Sequence, residues 1–344
     1  MVTRNDVARL ANVSPAVVSY VLNNSNYVST DKRKAVLDAV KALNYIPNQT
    51  ARNLRQGCTR VIAVIRGSQL HDMFNELLYQ LERLAFRNDY DLVTISTKIA
   101  EDQYAADSFI DKIIGRHYDA VFVANSSLRE DQINRLSKHV PVLLYATRDY
   151  HGLSRNISII MPDYRAAVKQ VTLRLLALGH RRICILPNMG YPLAQRTEEN
   201  HRYAGYLDAF REWGLEPDFR YVPDRIASVE EVPDVISSLF DINSGFPAPT
   251  AICADEPFVL TRVLKQLDNL GLSVPEDVSL VSFSRSTYAN VTKPEIAAMG
   301  YDLKKYGDVM MGMLLQLIEG KEAQREVIEL NYAEEESVGA PKSL

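Results

Sequence analysis

Residues 3–60 of this chain read TRNDVARLANVSPAVVSYVLNNSNYVSTDKRKAVLDAVKALNYIPNQTARNLRQGCTR, and the stretch predicts three short helices. The first is expected to begin after Thr3, because a threonine followed three positions later by Asp6 is typical of a capping box. The pair Asn12-Val13 is expected to end this helix.

The second and third helices have start signals of their own. Ser14 is a good N-cap, and Pro15 then occupies the first helical position, where its missing N–H costs no hydrogen bond. A third helix is expected to begin near Ser29 and to stop before Pro47. Two short helices joined by a tight turn and supported by a third are the plan of a helix-turn-helix.

The second helix has two distinct faces. Its apolar residues at Val18, Val21 and Leu22 are expected to point inward. The residues left to face outward are Ala16, Ser19, Tyr20 and Asn23.

The charge distribution separates this head from the rest of the chain. Residues 1–60 contain nine Lys and Arg against three Asp, a net charge of +6. The whole chain carries −4, so residues 61–344 carry −10. A basic head on an acidic body is expected of a protein that neutralises nucleic-acid phosphates with one domain. The run of basic residues at 32–34, taken alone, is also explained by a helix face exposed to solvent.

The head closely resembles the DNA-binding head of the lactose-repressor (LacI/GalR) family, almost without gaps through residue 60. The segments that carry the resemblance are Asp6-Val7-Ala8, Ala11-Asn12-Val13-Ser14, Val18-Ser19, Val21-Leu22-Asn23, Asn44-Tyr45-Ile46-Pro47-Asn48, Ala51-Arg52 and Leu54.

Length and composition limit the remaining possibilities. A chain of 344 residues is too long for one ordinary core, and the head leaves room for a body of two lobes.

With no run of eighteen apolar residues and no signal-peptide pattern, we expect no membrane association. The scattered cysteines Cys58, Cys184 and Cys253 fit reduced thiols, so a cytoplasmic location is expected. No metal-ligand spacing or phosphate-binding glycine loop is visible, and no cofactor is expected.

In the body, apolar runs alternate with amphipathic helical patterns, which predicts parallel sheets of the doubly wound α/β type. The runs are 61–65, 92–95, 120–123, 142–145, 183–186, 250–253 and 278–283. Two such lobes are expected to bind a ligand in the cleft at the carboxyl ends of their strands.

The body also resembles the family's periplasmic-binding-protein-like effector domain. The resemblance lies in Gly179–Ile183, Arg202-x-x-Gly205-Tyr206, Pro249-Thr250-Ala251 and Gly271–Ser279. It implies an all-α helix-turn-helix head at 1–57 with a hinge helix at about 48–55, followed by an α/β effector-binding and dimerisation body at 58–344. Lobe one is expected at about 61–161 and 291–320, and lobe two at about 162–290 and 321–344.

By the same resemblance, the second helix would lie in the major groove and read bases with Pro15, Ala16 and Tyr20. Tyr20 stands where the family usually has a guanine-reading arginine, so the usual half-site is not expected. The alternative is that Tyr20 packs on the third helix. The positions implied to hold phosphates are Thr3, Ser14, Ser19, Asn23, Tyr27 and Ser29.

The implied hinge helix begins at Asn48 and ends near Arg55. It is too short to be stable alone and would form only when paired with its dimer mate on DNA. Leu54 matches the family's wedge between base steps in the minor groove. Ala51 and Arg52 complete the DNA-binding set expected in this segment.

The resemblance also implies an effector site in the cleft, and here the chain departs from the family. Relatives in the family usually have an aspartate at the position of Ser284, and its carboxylate forms hydrogen bonds with sugar hydroxyls. A cleft that gains arginine and loses aspartate suggests an anionic ligand, or else weakened effector control. The effector would be a sugar, a sugar phosphate or another anionic metabolite. The residues expected to contact it are His71, Phe74, Arg148, Asp163, Arg202 and Ser284.

These observations discriminate between an enzyme, a solute-binding protein and a transcription regulator. An enzyme on two Rossmann-like lobes lacks the expected G-x-G-x-x-G after residues 61–65 and any visible nucleophile–base set. A solute-binding protein would not need the basic head. The sequence therefore predicts a transcription regulator, a repressor that binds a palindromic double-stranded DNA operator as a homodimer and responds to a small molecule.

Overall fold

The computed structural model describes residues 2–46, 57–67, 72–97, 103–124, 128–187, 197, 200–223, 226, 228–285, 291–333 and 336–342. The chain divides into two compact units, Met1–Thr59 and Arg60–Leu344.

The first unit contains three helices, α1 (Arg4–Leu10), α2 (Pro15–Asn23) and α3 (Thr30–Ala42). Thr3 and Asp6 form a reciprocal capping box at the start of α1. The Ser14 hydroxyl accepts the Val17 N–H at 3.4 Å at the start of α2. Ser29 occupies the N-cap of α3 without a side-chain hydrogen bond.

Small apolar side chains hold the three helices together. Val7, Val18 and Val36 are completely buried, one from each helix. The connections turn at Asn12 and Asn24, which both adopt a left-handed conformation with φ of 51°. Asparagine tolerates this region better than most residues, which explains why the helices end there. The predicted helix-turn-helix is confirmed.

The second unit contains two sheets, and the first has six strands among the described residues. Its order is β10-β5-β4-β3-β1-β2, and all its neighbours pair in parallel. The strands are β1 (Val61–Arg66), β2 (Asp91–Ser96), β3 (Ala120–Ala124), β4 (Val142–Tyr145), β5 (Ile157–Pro162) and β10 (Arg325–Ile328).

The second sheet has five described strands in the order β11-β9-β8-β7-β6. Its pairs are parallel except for β11 with β9, which is antiparallel. The strands are β6 (Ile183–Ile185), β7 (Ala251–Ala254), β8 (Ser279–Ser282), β9 (Ala297–Gly300) and β11 (Asn331–Ala333). The central strands of both sheets are buried on both faces, as expected when helices cover a parallel sheet.

Eight further α-helices accompany the sheets in the described part of the second unit. They are α4 (Asp72–Arg87), α5 (Gln103–Gly115), α6 (Glu130–Ser137), α7 (Tyr164–Ala177), α8 (His201–Glu212), α9 (Val232–Leu239), α10 (Pro257–Asn269) and α11 (Leu303–Ile318). Helix α11 packs against α4 and against β3, β4 and β5 of the first sheet, while α7 and α8 pack against each other.

The lobe boundaries differ from those predicted. Strand β9, expected in lobe one, pairs with β8 of the second sheet, and β10, expected in lobe two, pairs with β5 of the first. Within the described residues the backbone passes between the sheets at 162–164, 300–303 and 328–331. Strand β10 could not be recognised from apolar residues because three of its four positions are exposed.

No helix in the described part of the chain is both long enough and apolar enough to span a bilayer.

Candidate DNA-binding surface and inter-lobe cleft

Helix α2 presents a solvent-exposed outer face. Ala16 and Asn23 are exposed, Tyr20 is 38% exposed and Ser19 is half-buried. The Asn23 amide donates to the Ser19 hydroxyl at 3.3 Å, which fixes the two polar groups side by side. More than a third of Tyr20 is exposed, so part of its side chain is accessible to a partner.

The other residues predicted to contact DNA lie at helix starts and in the connections. Ser14, Pro15 and Ser29 are exposed, and Tyr27 is 96% exposed. Both side chains of the α1 capping box are engaged, since the Thr3 hydroxyl donates to the Asp6 carboxylate at 2.7 Å. This hydrogen bond is the main reason that the pKa of Asp6 lies below its usual value.

Five predicted site residues fall outside the described parts of the chain. They are Asn48, Ala51, Arg52 and Leu54 of the expected hinge helix, and His71 of the expected effector site.

Arg202 lies near the start of α8 and is buried with its charge neutralised. Its Nε donates to the carboxylate of Asp255 at 2.6 Å, and the two side chains are only 10% and 6% exposed. Its guanidinium carbon lies 3.6 Å from the centre of the Tyr164 ring, a close cation–π contact. The Arg202 backbone N–H donates to Asn200, which caps the helix.

Ser284 lies close to the same ion pair. It follows β8, is 3% exposed, and its hydroxyl donates to the backbone carbonyl of Asp255 at 2.7 Å. The structure therefore brings Arg202 and Ser284 together through Asp255, which sequence analysis did not select. Ser284 leaves no carboxylate directly after β8, but Asp255, directly after β7, places one beside Arg202.

The other predicted effector residues lie in different surroundings. Phe74 is buried in the apolar core of the first lobe, with its ring centroid 6.5 Å from that of Phe122. Asp163 is half-buried and caps α7, since its carboxylate accepts the Ala166 N–H at 3.0 Å. The guanidinium of Arg148 lies 4.9 Å from the centre of the Tyr150 ring.

A direct contact joins the two lobes beside Arg202. The Nε2 atom of His201, at the start of α8, lies 3.1 Å from a carboxylate oxygen of Asp149 in the loop after β4. This loop is held by Glu130, whose carboxylate accepts the N–H groups of His151 and Gly152. The carboxyl ends of strands from both sheets therefore meet at this place.

Asp255 and Tyr164 could have been found in the sequence. Asp255 directly follows the apolar run at 250–253, and a polar side chain at a strand end is where α/β proteins place ligand contacts. Tyr164 directly follows Asp163 at the first crossing between the sheets. Asp149 follows the strand end at 142–145 and carries a similar signal, whereas His201 carries none, and only the folded chain brings the two together.

Comparison with known proteins agrees with this architecture. The model of bacterial regulatory proteins of the lacI family matches residues 3–48. The model of the periplasmic binding protein-like domain matches residues 172–337.

Curated relatives align along nearly the whole chain. The NTD biosynthesis operon regulator NtdR of Bacillus subtilis is 28% identical over 331 residues, covering 96% of this chain and 97% of the relative. The regulator RegA of Clostridium saccharobutylicum is also 28% identical, and the alignment covers 96% of this chain and 98% of the relative. The repressor PurR of Vibrio vulnificus is 26% identical, with 96% of each chain covered.

Solved structures show the same fold. The lac repressor dimer bound to operator and the anti-inducer ONPF superposes with a TM-score of 0.82 at 20% identity, covering 98% of this chain and 99% of that one. The regulator CelR in complex with cellobiose superposes with a TM-score of 0.68 at 24% identity, and the match covers 98% of this chain and 100% of CelR.

A helix-turn-helix head joined to a two-lobed α/β body defines a DNA-binding transcription regulator, and the relatives are regulators rather than enzymes. The head is that of the lacI family of bacterial regulatory proteins, the body is a periplasmic binding protein-like domain, and the relatives that align along nearly the whole chain are regulators and repressors.

Proposed function

We propose that this regulator is a cytoplasmic repressor that binds a palindromic operator as a homodimer, and that a small molecule in the inter-lobe cleft changes its affinity for DNA. The observation that carries the proposal is the outer face of α2. Ala16, Tyr20 and Asn23 point to solvent on a head whose net charge is +6 within an acidic chain. Exposed side chains on a helix of a basic domain are the means of reading the major groove.

The dimer is proposed to form through the body. Helix α4 exposes Tyr79 by 59% and Phe86 by 79%, and Arg83 lies between them with its guanidinium 5.9 Å from the Tyr79 ring. These positions share one helix face, because they are four and three residues apart. Aromatic and arginine side chains are enriched at protein interfaces, and a second copy of this chain is the partner that a palindromic operator requires.

The ligand is proposed to bind where Arg202, Asp255 and Ser284 lie, at the junction of the lobes. Because Asp255 already neutralises Arg202, the main reason to expect an anionic metabolite is removed. An ion pair and hydroxyl groups suit a ligand that both donates and accepts hydrogen bonds, and a neutral sugar does both. Cellobiose in the CelR complex is a ligand of this kind.

The DNA-binding proposal is tested by an electrophoretic mobility shift with the full chain and with a variant that lacks residues 1–57. The full chain is expected to shift DNA selected from a random pool at physiological salt, while the truncated variant does not. Equal shifts of both proteins would place DNA binding outside the head.

The cleft is tested with Arg202→Ala and with glucose, cellobiose and glucose 6-phosphate as probes. We expect a neutral sugar to change the operator affinity of the natural protein, whereas Arg202→Ala binds the operator without responding. The matched control is Arg165→Ala, because Arg165 pairs with Asp208 on the exposed side of the second lobe. A normal sugar response of Arg202→Ala would contradict the cleft assignment.

A further inference from the structure

Arg60 is the first residue of the second unit and directly precedes strand β1. Its φ is 57°, in the left-handed region that an arginine rarely adopts, because the Cβ atom comes too close to the following carbonyl oxygen. A residue keeps such a conformation only where its surroundings hold it, and such positions are concentrated at functional segments. The contacts of Arg60 are therefore informative.

Arg60 is held from both sides of β1. On the β3 side, its backbone N–H donates to the carboxylate of Asp119 at 3.0 Å. On the β2 side, its carbonyl accepts the Asp91 N–H at 2.8 Å, and its guanidinium lies 5.1 Å from the centre of the Tyr90 ring. Strands β2 and β3 are the two neighbours of β1 in the first sheet. The backbone donor, the backbone acceptor and the side chain of this one residue are thus all engaged.

The Tyr90 ring is a fixed platform for the guanidinium. Tyr90 is only 6% exposed and belongs to the apolar core of the body, whereas Arg60 is half-buried. A cation over the face of an aromatic ring is attracted by the ring electrons. Arg60 therefore cannot leave its position without giving up this contact and the two backbone hydrogen bonds.

The chain just before Arg60 is less restrained. Gly57 is exposed, and an added Cβ there would meet nothing within 4 Å among the described residues. The first unit ends at Thr59, so the backbone connection between head and body passes through Arg60. Arg60 is the residue at which this connecting segment becomes fixed to the body.

We propose that Arg60 is a positioning residue for DNA binding, which clamps the connecting segment at its entry into the body and thereby restricts the half-site spacing that a dimer accepts. Two linked heads gain affinity from each other only when the connecting segments match the separation of their sites. A fixed starting point limits the separations that match, and a loose one admits more. The spacing effect rests on the proposed function, whereas the clamp itself exists without DNA.

The clamp is tested by amide hydrogen exchange of the full chain without DNA, comparing the natural protein with Arg60→Gln. This substitution removes the guanidinium and keeps the Cβ atom, so the left-handed conformation loses a contact that holds it while its strain remains. We expect exchange at 58–61 to become about two- to fivefold faster, the factor that corresponds to one cation–π contact at an exposed site. Strands β2 and β3 are expected to keep their protection.

The matched control is His117→Gln. His117 is exposed, also has a left-handed φ, of 53°, and precedes β3 at the same edge of the first sheet, but it is not on the connection to the head. This variant is expected to leave exchange at 58–61 as it is in the natural protein. Unchanged exchange at 58–61 in Arg60→Gln, or an equal acceleration in both variants, would overturn the clamp.

The positioning role is tested by selection of random duplex DNA with the same three proteins. The natural protein and His117→Gln are expected to select inverted repeats with one spacing, and Arg60→Gln the same half-site at several spacings. A loss of stability alone would weaken binding at every spacing alike. One and the same spacing in all three proteins would overturn the positioning role. If the natural protein selects no inverted repeat, the proposed function fails and the spacing effect with it, while the exchange measurement still decides whether the clamp exists.

Discussion

Arg202 shows how one neighbouring side chain changes the chemistry of a site. As a lone cation it would favour phosphate or carboxylate ligands, but Asp255 lies 2.6 Å away and both groups are buried. Removing one partner of such a pair leaves an uncompensated buried charge, which typically costs about 3–5 kcal/mol. The pair is therefore expected to stay together when a ligand binds.

Tyr20 is expected to help choose the base sequence of the operator. A tyrosine hydroxyl cannot contact guanine through two parallel hydrogen bonds as an arginine does. Tyr20→Arg should therefore shift the preferred half-site towards guanine at the contacted position, with a discrimination of about 1–3 kcal/mol. Selection from random DNA measures this shift. Tyr20→Phe is the control for loss of the hydroxyl alone, and an unchanged motif in Tyr20→Arg would make Tyr20 structural.

His180 is expected to make stability depend on pH. Its Nε2 lies 2.9 Å from the Gly339 carbonyl, which can only accept, so Nε2 carries the proton and Nδ1 accepts from the Thr250 hydroxyl. Burial lowers the pKa of His180, so the unfolded chain binds a proton more readily than the folded one. The contribution of neutral, buried His180 to the free energy of unfolding is fully present above pH ~6.5. It is lost as the pH falls towards the lower pKa of His180 in the folded state.

Urea unfolding between pH 8 and pH 5 measures this effect. The fall in the free energy of unfolding below pH ~6.5 should become smaller in His180→Gln. It should be unchanged in His139→Gln, because His139 is exposed. An identical pH profile for the natural protein and His180→Gln would contradict the assignment.

Among the elements, α7 and α8 depend on one glycine. A Cβ added at Gly205 would lie 2.3 Å from the Arg165 carbonyl oxygen, so the two helix backbones approach too closely for any side chain there. Gly205→Ala is expected to destabilise the protein by about 1–3 kcal/mol or more, measured by chemical denaturation.

Gly312 of α11 is the matched control for this substitution. An added Cβ there meets nothing within 4 Å, so Gly312→Ala should stabilise the helix by about 0.5–1 kcal/mol. Similar effects of the two substitutions would show that close helix packing is not the reason for Gly205.

The sequence predicted those elements whose signals are local. The caps at Thr3 and Ser14 and the apolar runs of β1, β3 and β4 could be identified because the pattern lies within a few residues. Strand β10 could not, because most of its side chains are exposed and its place is set by pairing with β5.

The candidate site also contains contacts that local sequence signals do not predict. Arg202 and Ser284 were selected through the family resemblance, whereas Asp149 and His201 are 52 positions apart and are paired only by the fold. Contacts between distant segments depend on how the lobes pack, and single-sequence patterns do not carry that information. The predicted lobe boundaries were wrong at β9 and β10 for this reason.

At the scale of the whole molecule, the proposed dimer depends on the exposed face of α4. Phe86→Glu places a charge where an aromatic side chain would be buried in the dimer interface. In each subunit the substitution removes about 1.5–3 kcal/mol of favourable burial free energy, and burying the charge adds a further cost. Analytical ultracentrifugation at micromolar concentration should show a dimer for the natural protein and dissociation for the variant.

Phe246→Glu is the control for this experiment. Phe246 is another exposed aromatic residue, in the second lobe, and 46% of it is exposed. This variant should remain dimeric. A monomeric natural protein, or dissociation of both variants to the same extent, would contradict an interface on α4.

The central claim is that two copies of this chain read a symmetric operator through their heads. The most direct measurement is repeated selection of random duplex DNA by the purified full chain, followed by sequencing of the bound fragments. The account predicts an inverted repeat of two half-sites with a fixed spacing, since a two-fold dimer imposes its symmetry on the DNA. A single unpaired half-site, or the absence of any enriched sequence, would contradict it.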